Sequence, residues 1–230
     1  MNEIGEGIWI HEDVMDLMGT KLRLRMTVVK LQEGGLWIHS PTKLSKELKL
    51  EVDKLGIVAF VVGASNGHNT WLGQWQEAYP KADLYVSSGI PDKVTLKSYT
   101  ILDGVNNNIW AADLIQAAMP EVPFFNESVF FHRKTNSLIV TDLIQNHEKK
   151  VVTGVGANLA QSLFRLLGFK EKCVAPPLKM GFMRKDKAGF AEFIEQVNNW
   201  DFDKIIVTHG DSINENAKTV FSQLCERFRQ

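Results

Sequence analysis

Two histidines and one aspartate, far apart along the chain, have the side chains and the positions to bind a metal ion. Asp142 and His209 each stand where a short apolar run gives way to a turn, and His68 lies a few residues beyond a third run. Imidazole nitrogens and carboxylate oxygens bind Zn²⁺, Fe or Mn in proteins. Three such ligands leave open positions on one ion for water, which the ion activates for hydrolysis of an ester, thioester, amide or phosphoester.

The three apolar runs, 57–62, 138–141 and 205–208, are predicted to be strands that position these side chains. Their continuous apolar, β-branched character is typical of strands that are covered on both faces. α/β proteins place their sites at the carboxyl ends of such strands. The sequence therefore predicts that His68, Asp142 and His209 converge on one point at the edge of a sheet.

Helix and strand patterns alternate along the rest of the chain. Residues 22–31 and 35–39 are typical of a hairpin, and apolar residues at helical spacing predict a helix over 44–55, capped by Ser45 and ended by Gly56. The further predictions are a helix over 71–79, strands over 84–86 and 128–132, a helix over 154–167, a helix beginning at Asp186 and a last helix opened by a capping box at 212–215. We interpret residues 1–230 as a single domain of two similar halves, each a sheet backed by helices.

The composition is globular and argues against several classes of partner. Of the 230 residues, 44% are hydrophobic and 23% are charged, and the net charge is -1, so we expect no nucleic-acid partner and no membrane partner. The longest apolar run, 57–64, is far shorter than the ~20 residues that cross a bilayer. Glu3 and Glu6 stand where a secretory signal is basic, and Cys173 and Cys225 lack the spacing of a disulfide framework. We therefore expect a cytoplasmic protein with reduced thiols.

An apolar cluster between Phe164 and Met183 leaves three interpretations open. It could form the wall of a small-molecule cleft, a contact in a homo-oligomer, or ordinary core, which is the commonest role of such a cluster. The expected partner is thus a small-molecule substrate or ligand that the sequence does not identify.

Several segments, in their order along the chain, resemble the metallo-β-lactamase superfamily, and more closely its branch known as domain of unknown function 4336. The segments that carry the resemblance are 25–29, 35–41, His68 with 71–75 and 78–80, 129–132, 141–143, 200–204 and 209–211. The resemblance covers nearly the whole chain. It implies a mixed α/β fold, the four-layer αβ/βα sandwich of two mixed sheets flanked by helices, with metal held at one edge between the sheets.

Carried over residue by residue, the resemblance implies a degenerate metal site. The superfamily places His-x-His-x-Asp-His after the strand that corresponds to 57–62, whereas this chain keeps only His68 there. A further family histidine falls near Pro123 and is lost. Asp142 matches the bridging carboxylate and His209 the last histidine, so the resemblance implies at most one metal ion, held by His68, Asp142 and His209.

Four other residues are candidates to support the ligands or to line the cleft. His39 takes the place of a family aspartate that orients ligands; the alternative is an interior histidine that donates to a backbone carbonyl. Asn69 could contribute an oxygen, Glu127 could face the cleft, and His147 could approach the site. His132, at a strand end, is predicted to lie on the surface.

Two functions follow from these patterns. The first is a metal-dependent hydrolase with one divalent ion, Zn or Fe or Mn, in which Asp142 is catalytic because it holds the ion and orients the nucleophile. The alternative is a non-catalytic small-ligand-binding or metal-sensing protein that has lost the metal centre. In that case His68 and His209 are hydrogen-bonded relics, and Asp142 caps the segment that follows it.

Overall fold

The structure is a computed structural model of the chain. It describes residues 1–17, 20–102, 104, 109–120, 126–147, 152–154, 162, 166, 168, 171–176, 178 and 186–228. Pro123, most of the predicted helix over 154–167 and most of the apolar cluster from Phe164 to Met183 lie outside these residues. The interpretation of the chain as one domain stays a prediction.

Fourteen strands are present in the described part of the chain. They are β1 (Asn2–Gly5), β2 (Ile8–Leu17), β3 (Thr20–Lys30), β4 (Leu36–His39), β5 (Val58–Gly63), β6 (Asp83–Val86), β7 (Thr100–Ile101), β8 (Leu114–Ala118), β9 (Ser128–His132), β10 (Ser137–Val140), β11 (Ile144–Asn146), β12 (Val152–Gly154), β13 (Lys172–Val174) and β14 (Lys204–Val207). The predicted strands near 57–62, 138–141 and 205–208 correspond to β5, β10 and β14.

Four α-helices accompany the strands in the same part of the chain: α1 (Lys46–Leu55), α2 (Leu72–Ala78), α3 (Lys187–Asn198) and α4 (Ala217–Cys225). Ser45 caps α1 by accepting the amide of Leu48, and Asp186 caps α3 by accepting the amide of Gly189, as the sequence predicted. Two 3₁₀ turns are Arg133–Thr135 and Glu226–Phe228.

The predicted capping box at 212–215 is wrong. The last helix begins at Ala217, after Asn216, because the backbone before it is committed to a strand-like pairing. Ile213 both donates to and accepts from the main chain of Ile205, at 2.9 and 2.8 Å. A residue with both groups bonded to a strand cannot also form the first turn of a helix.

Two mixed sheets lie face to face. The larger has the order β1-β2-β3-β4-β5-β6-β7, with β12 also paired to β3, and its β4 to β7 pairs are parallel. The smaller has the order β14-β10-β9-β8, in which only β14 and β10 are parallel. β11 and β13 form a separate antiparallel pair. The carboxyl ends of β5, β10 and β14 therefore carry the segments with His68, Asp142 and His209.

Three hydrophobic clusters hold together the four layers of the sandwich, which are two sheets and the helices outside them. Aromatic and aliphatic side chains fill the space between the sheets, with Trp37 and Tyr85 from the larger sheet against Phe130 and Ile206 from the smaller. The outer face of the larger sheet is covered by α1 and α2, and that of the smaller sheet by α3 and α4. The predicted fold class is confirmed. In the part of the chain that the structure describes, no helix has the length and apolar character that a bilayer crossing needs.

Candidate metal centre

The structure brings His68, Asp142 and His209 together at the rim between the two sheets. Their ligating atoms all lie within 4.8 Å of one another, and among the described residues this is the one such group of three or more. His68 Nε2 lies 3.1 Å from His209 Nε2, and each of these nitrogens lies 3.5 Å from Asp142 Oδ1. One residue comes from a loop of the larger sheet and two from loops of the smaller.

These separations fit one metal ion. Zinc bonds to nitrogen and oxygen are about 2.0–2.1 Å, so two ligand atoms at a tetrahedral angle are about 3.3–3.4 Å apart. The observed separations of 3.1, 3.5 and 3.5 Å lie around this value. Two imidazole nitrogens and a carboxylate oxygen also suit Fe and Mn. The donor set therefore fits a single divalent ion; that these residues bind one stays a prediction.

His209 is oriented by the backbone of the larger sheet. Its Nδ1 donates to the carbonyl oxygen of Arg23 on β3 at 3.2 Å. A neutral imidazole that donates from Nδ1 carries its lone pair on Nε2. Nε2 is the atom that faces His68 and Asp142, so the ring presents a ligand atom to the shared point.

Gly210, next to His209, allows the loop after β14 to come close to the segment after β10. Its φ is +96°, in the left-handed region. A Cβ at this position would stand 1.7 Å from the carbonyl oxygen of Asn146, far inside any real contact. The main chain of Asn146 in turn donates to His209 O at 3.3 Å and accepts from the amide of Asp211 at 3.0 Å. Only glycine satisfies both the backbone conformation and this close approach.

Asp142 is held through both its side chain and its backbone. Ser65 Oγ donates to Asp142 Oδ2 at 2.5 Å, which leaves Oδ1 directed at the two histidines. Glu127 accepts the amides of Thr141, Asp142 and Leu143 at 2.6, 2.9 and 2.8 Å. The carboxylate of Asp142 is thus fixed before any ion is considered.

The two buried carboxyl groups differ in charge. Burial alone would raise the pKa of Asp142, but in the absence of a metal ion the protonated forms of His68 and His209 offer positive charge and hydrogen bonds that outweigh burial and hold this pKa well below its usual value. Burial and the charge of Asp142 raise the pKa of Glu127 to about 8, against the opposing effect of its three amide donors. Asp142 is therefore the anionic ligand of the pair.

The loop that carries His68 is closed by its own hydrogen bonds. His68 N donates to Ser65 O at 2.9 Å. Asn66 O accepts from Asn69 Nδ2 and from Lys93 Nζ, both at 2.9 Å. The side-chain nitrogen of Asn69 therefore donates a hydrogen bond within the loop. Asn69 is not a member of the group formed by His68, Asp142 and His209.

His39 lies beneath the site in the interior of the sandwich. It is fully buried, stacks on Trp37 with ring centroids 5.4 Å apart, and its Nε2 lies 3.3 Å from Thr141 Oγ1. Burial, followed by the charge of His68, lowers the pKa of His39 to about 3, so the ring is neutral. Its contact is with the residue before Asp142, which makes it a support of that loop and leaves it outside the ligand group.

Two other histidines are buried and are not members of the ligand group. His147 Nε2 lies 2.9 Å from Gln145 Oε1, and burial lowers the pKa of His147 to about 4. The prediction that His132 lies on the surface is wrong, since only 1% of it is exposed. The 3₁₀ turn that follows β9 folds back over it and places Thr135 Oγ1 2.8 Å from its Nδ1.

The sequence patterns missed Ser65 and Arg23. Ser65 follows β5 almost directly, and a buried hydroxyl at a strand end near a candidate ligand was a usable signal. Arg23 acts through its carbonyl oxygen, for which the side-chain sequence carries no signal.

Comparison with known proteins supports the fold independently. A model of the family described as domain of unknown function (DUF4336) matches residues 5–165. No curated protein matches the chain.

Solved structures that are similar to the chain are metallo-β-lactamases. One, from Pontibacter korlensis, has a TM-score of 0.63 and 12% identity over 98% of this chain and 97% of that chain. FIM-1 from Pseudomonas aeruginosa, in its mono-zinc form, has a TM-score of 0.63 and 11% identity over 98% and 94%. One from Erythrobacter litoralis, with β-mercaptoethanol in the active site, has a TM-score of 0.63 and 12% identity over 98% and 95%.

Proposed function

We propose that this chain, which belongs to the domain of unknown function (DUF4336) family and has the metallo-β-lactamase fold, is a metal-dependent hydrolase with one divalent metal ion. His68, Asp142 and His209 would hold the ion. The observation that carries the proposal is the convergence of their three ligand atoms at separations that fit a single ion. The mono-zinc form of FIM-1 is an example of this fold with one zinc.

The ion, when bound, supplies Lewis acidity that polarises a substrate oxygen and acidifies water. Asp142 supplies the negative charge of the ligand set, and its depressed pKa keeps it ionised at neutral pH. Ser65 occupies Asp142 Oδ2, so the carboxylate presents Oδ1 to the shared point. The hydrogen bond from His209 Nδ1 to Arg23 O keeps the lone pair of that ring on Nε2.

The substrates that this chemistry addresses are small molecules with an ester, thioester, amide or phosphoester bond. We also propose a cytoplasmic location, in keeping with two buried cysteines, Cys173 and Cys225, whose spacing is not that of a disulfide framework. The metal is Zn, Fe or Mn, which metal analysis must distinguish.

Metal analysis is the first test of this function. The protein is purified, reconstituted separately with Zn²⁺, Fe²⁺ and Mn²⁺, and analysed beside His209→Ala and Asp142→Ala. We expect one ion per chain in the wild type and loss of the ion in both variants, followed by metal-dependent hydrolysis of generic esters, thioesters or phosphodiesters by the wild type.

Asp113→Asn is the matched control, because Asp113 is also a buried carboxylate but lies at the opposite end of the smaller sheet. It should keep its metal. A wild type that stays empty after reconstitution contradicts the proposal and favours the non-catalytic binding protein. A wild type that binds metal but hydrolyses none of these bonds favours a metal sensor.

A further inference from the structure

Glu127 makes an unusual set of hydrogen bonds at the start of β9. One oxygen of its carboxylate accepts the amide of Thr141 at 2.6 Å, and the other accepts the amides of Asp142 and Leu143 at 2.9 and 2.8 Å. Only 1% of Glu127 is exposed. Three consecutive main-chain amides therefore point at one buried side chain.

This arrangement explains why β10 ends where it does. Residues 141–143 follow the strand, and their amides turn towards Glu127 in place of a neighbouring strand. Amides that converge in this way form a concavity that binds acceptor oxygens, and the two oxygens of the Glu127 carboxyl group accept from all three. Without Glu127 these buried amides would lose their acceptor, so the loop has a strong reason to keep one geometry.

Hydrogen bonds of Glu127 and its neighbours also connect the loop after β10 to the loop that carries His68. Glu127 pairs with Ser65 through a main-chain bridge, and Ser65 Oγ bonds Asp142. The preceding residue, Asn126, accepts through its carbonyl oxygen from Asn66 N at 3.2 Å and from Ser87 Oγ at 2.7 Å. The dipeptide Asn126–Glu127 thus fixes the loop after β5 on one side and the loop after β10 on the other.

We infer that Glu127 is the positioning residue of the candidate metal centre: it binds the three amides of residues 141–143 and so sets where Asp142 stands relative to His68. The inference rests on the proposed function, because it concerns the same ion. Glu127 does not touch the ion or the reacting atoms in this assignment. It acts through Asp142 and through Ser65.

The test is the metal affinity of Glu127→Gln, measured for Zn²⁺ and Co²⁺ by competition with a chromophoric chelator. Glutamine keeps the size of the side chain, but its NH₂ group cannot accept an amide hydrogen bond. We expect affinity to fall about 10- to 100-fold, as for loss of a partner that orients a metal ligand. We also expect the visible absorption spectrum of bound Co²⁺ to change, since it reports ligand geometry and not global stability.

Two further variants keep the test independent of stability. Glu127→Asp keeps the carboxyl group but is one methylene shorter, so it should also lower affinity. Asp113→Asn makes the same carboxylate-to-amide change at a buried residue whose Oδ2 accepts Gln32 N, away from the site. It should lower stability while affinity and the Co²⁺ spectrum stay as in the wild type.

The outcomes separate this inference from the proposed function. A wild type that takes up neither ion overturns both. A wild type that binds while Glu127→Gln binds equally well, with the same Co²⁺ spectrum, overturns the inference alone, as does an equal loss in Asp113→Asn. If the Glu127 variants do not fold, hydrogen exchange of the wild type decides: fast exchange of the amides of residues 141–143 overturns the inference.

Discussion

Strand β9 has a buried carboxylate near each of its ends, and only one end forms a candidate site. At its start, Glu127 holds the loop that carries Asp142. At its other end, Asp113 accepts the amide of Gln32 at 3.1 Å, and the buried His132 lies beside Thr135. Both ends combine a buried acid, a nearby imidazole and shifted pKa values.

The difference between the two ends is where the ligand atoms point. At the Glu127 end, the loops after β5, β10 and β14 deliver side chains to one point, and the lone pair of the neutral His209 ring faces it. At the Asp113 end, the Nδ1 of His132 is engaged by a hydroxyl of its own turn. Burial and shifted pKa values alone therefore do not identify a site; convergence of available ligand atoms does.

The largest loss of stability is expected at Gly210, and Gly34 is its control because both residues have a left-handed backbone. Gly210 has φ +96° and no room for a Cβ, whereas Gly34, at the opposite end of the larger sheet, has φ +92° and nothing within 4 Å of the added atom. Gly210→Ala should lower the free energy of unfolding by at least about 3 kcal/mol, and Gly34→Ala by only about 1 kcal/mol. Urea denaturation measures both; equal losses would show that the contact with Asn146 O does not constrain the loop.

His132, at the Asp113 end, should contribute to the pH dependence of stability. Burial lowers the pKa of His132 to about 4, whereas the unfolded residue titrates near 6.5. Between these values the unfolded chain binds more protons at this position, so the free energy of unfolding falls as pH drops from about 6.5 to 4, by on the order of 2–3 kcal/mol.

His39 and His147 have lowered pKa values too. The contribution of His132 is therefore measured as the difference in free energy of unfolding between the wild type and a variant without this histidine. Urea denaturation of wild type and His132→Gln is measured from pH 7 to pH 4, and the curve of the variant should be flatter. Parallel curves would mean that His132 takes up its proton equally well in the folded protein.

Ser65, beside Asp142, and Ser137, at the other end of the strands, should differ in their effect on metal binding. Ser65→Ala removes the hydrogen bond to Asp142 Oδ2 and should weaken Zn²⁺ binding about 10-fold, because the carboxylate loses the partner that orients it. Ser137→Ala removes a hydroxyl that donates to Thr135 O at the other end of the strands and should leave Zn²⁺ affinity unchanged. Competition titrations that find the same affinity in both variants would contradict the role of Ser65.

The smallest effect is expected from Asn69→Ala. Its side chain donates to Asn66 O, so removal should cost about 1 kcal/mol of stability and change Zn²⁺ affinity less than about threefold. Thermal denaturation and chelator competition measure the two quantities. A tenfold or larger loss of affinity would show instead that Asn69 contributes a ligand oxygen.

Much of the framework could be predicted because its signals are local. The apolar runs marked β5, β10 and β14, and the caps of α1 and α3 follow from single side chains, Ser45 and Asp186. The meeting of Asp142 and His209 follows in turn from strand direction, since the parallel strands β10 and β14 end at the same edge. His68 joins them from the end of β5 in the other sheet.

What could not be predicted depends on contacts between distant segments. β2 contains Glu12, Asp13 and Asp16, which are poor strand formers, and it is a strand because β3 pairs with it along its whole length. The role of Glu127 depends on where three amides of another loop point, and that of Arg23 on a carbonyl oxygen. Neither arrangement leaves a pattern in the order of side chains.

One edge of β3 is paired over only part of its length. On that side β12 pairs with Thr20 to Leu22 and β4 pairs with Thr27 to Lys30, so among the described residues no strand covers the stretch between them. Exposed strand edges of this kind invite pairing with another chain and aggregation. Here the Arg25 guanidinium bonds Val207 O and His209 bonds Arg23 O, so the segment after β14 blocks the edge against a foreign strand. The same few residues thus cover this strand edge and hold a candidate ligand in place.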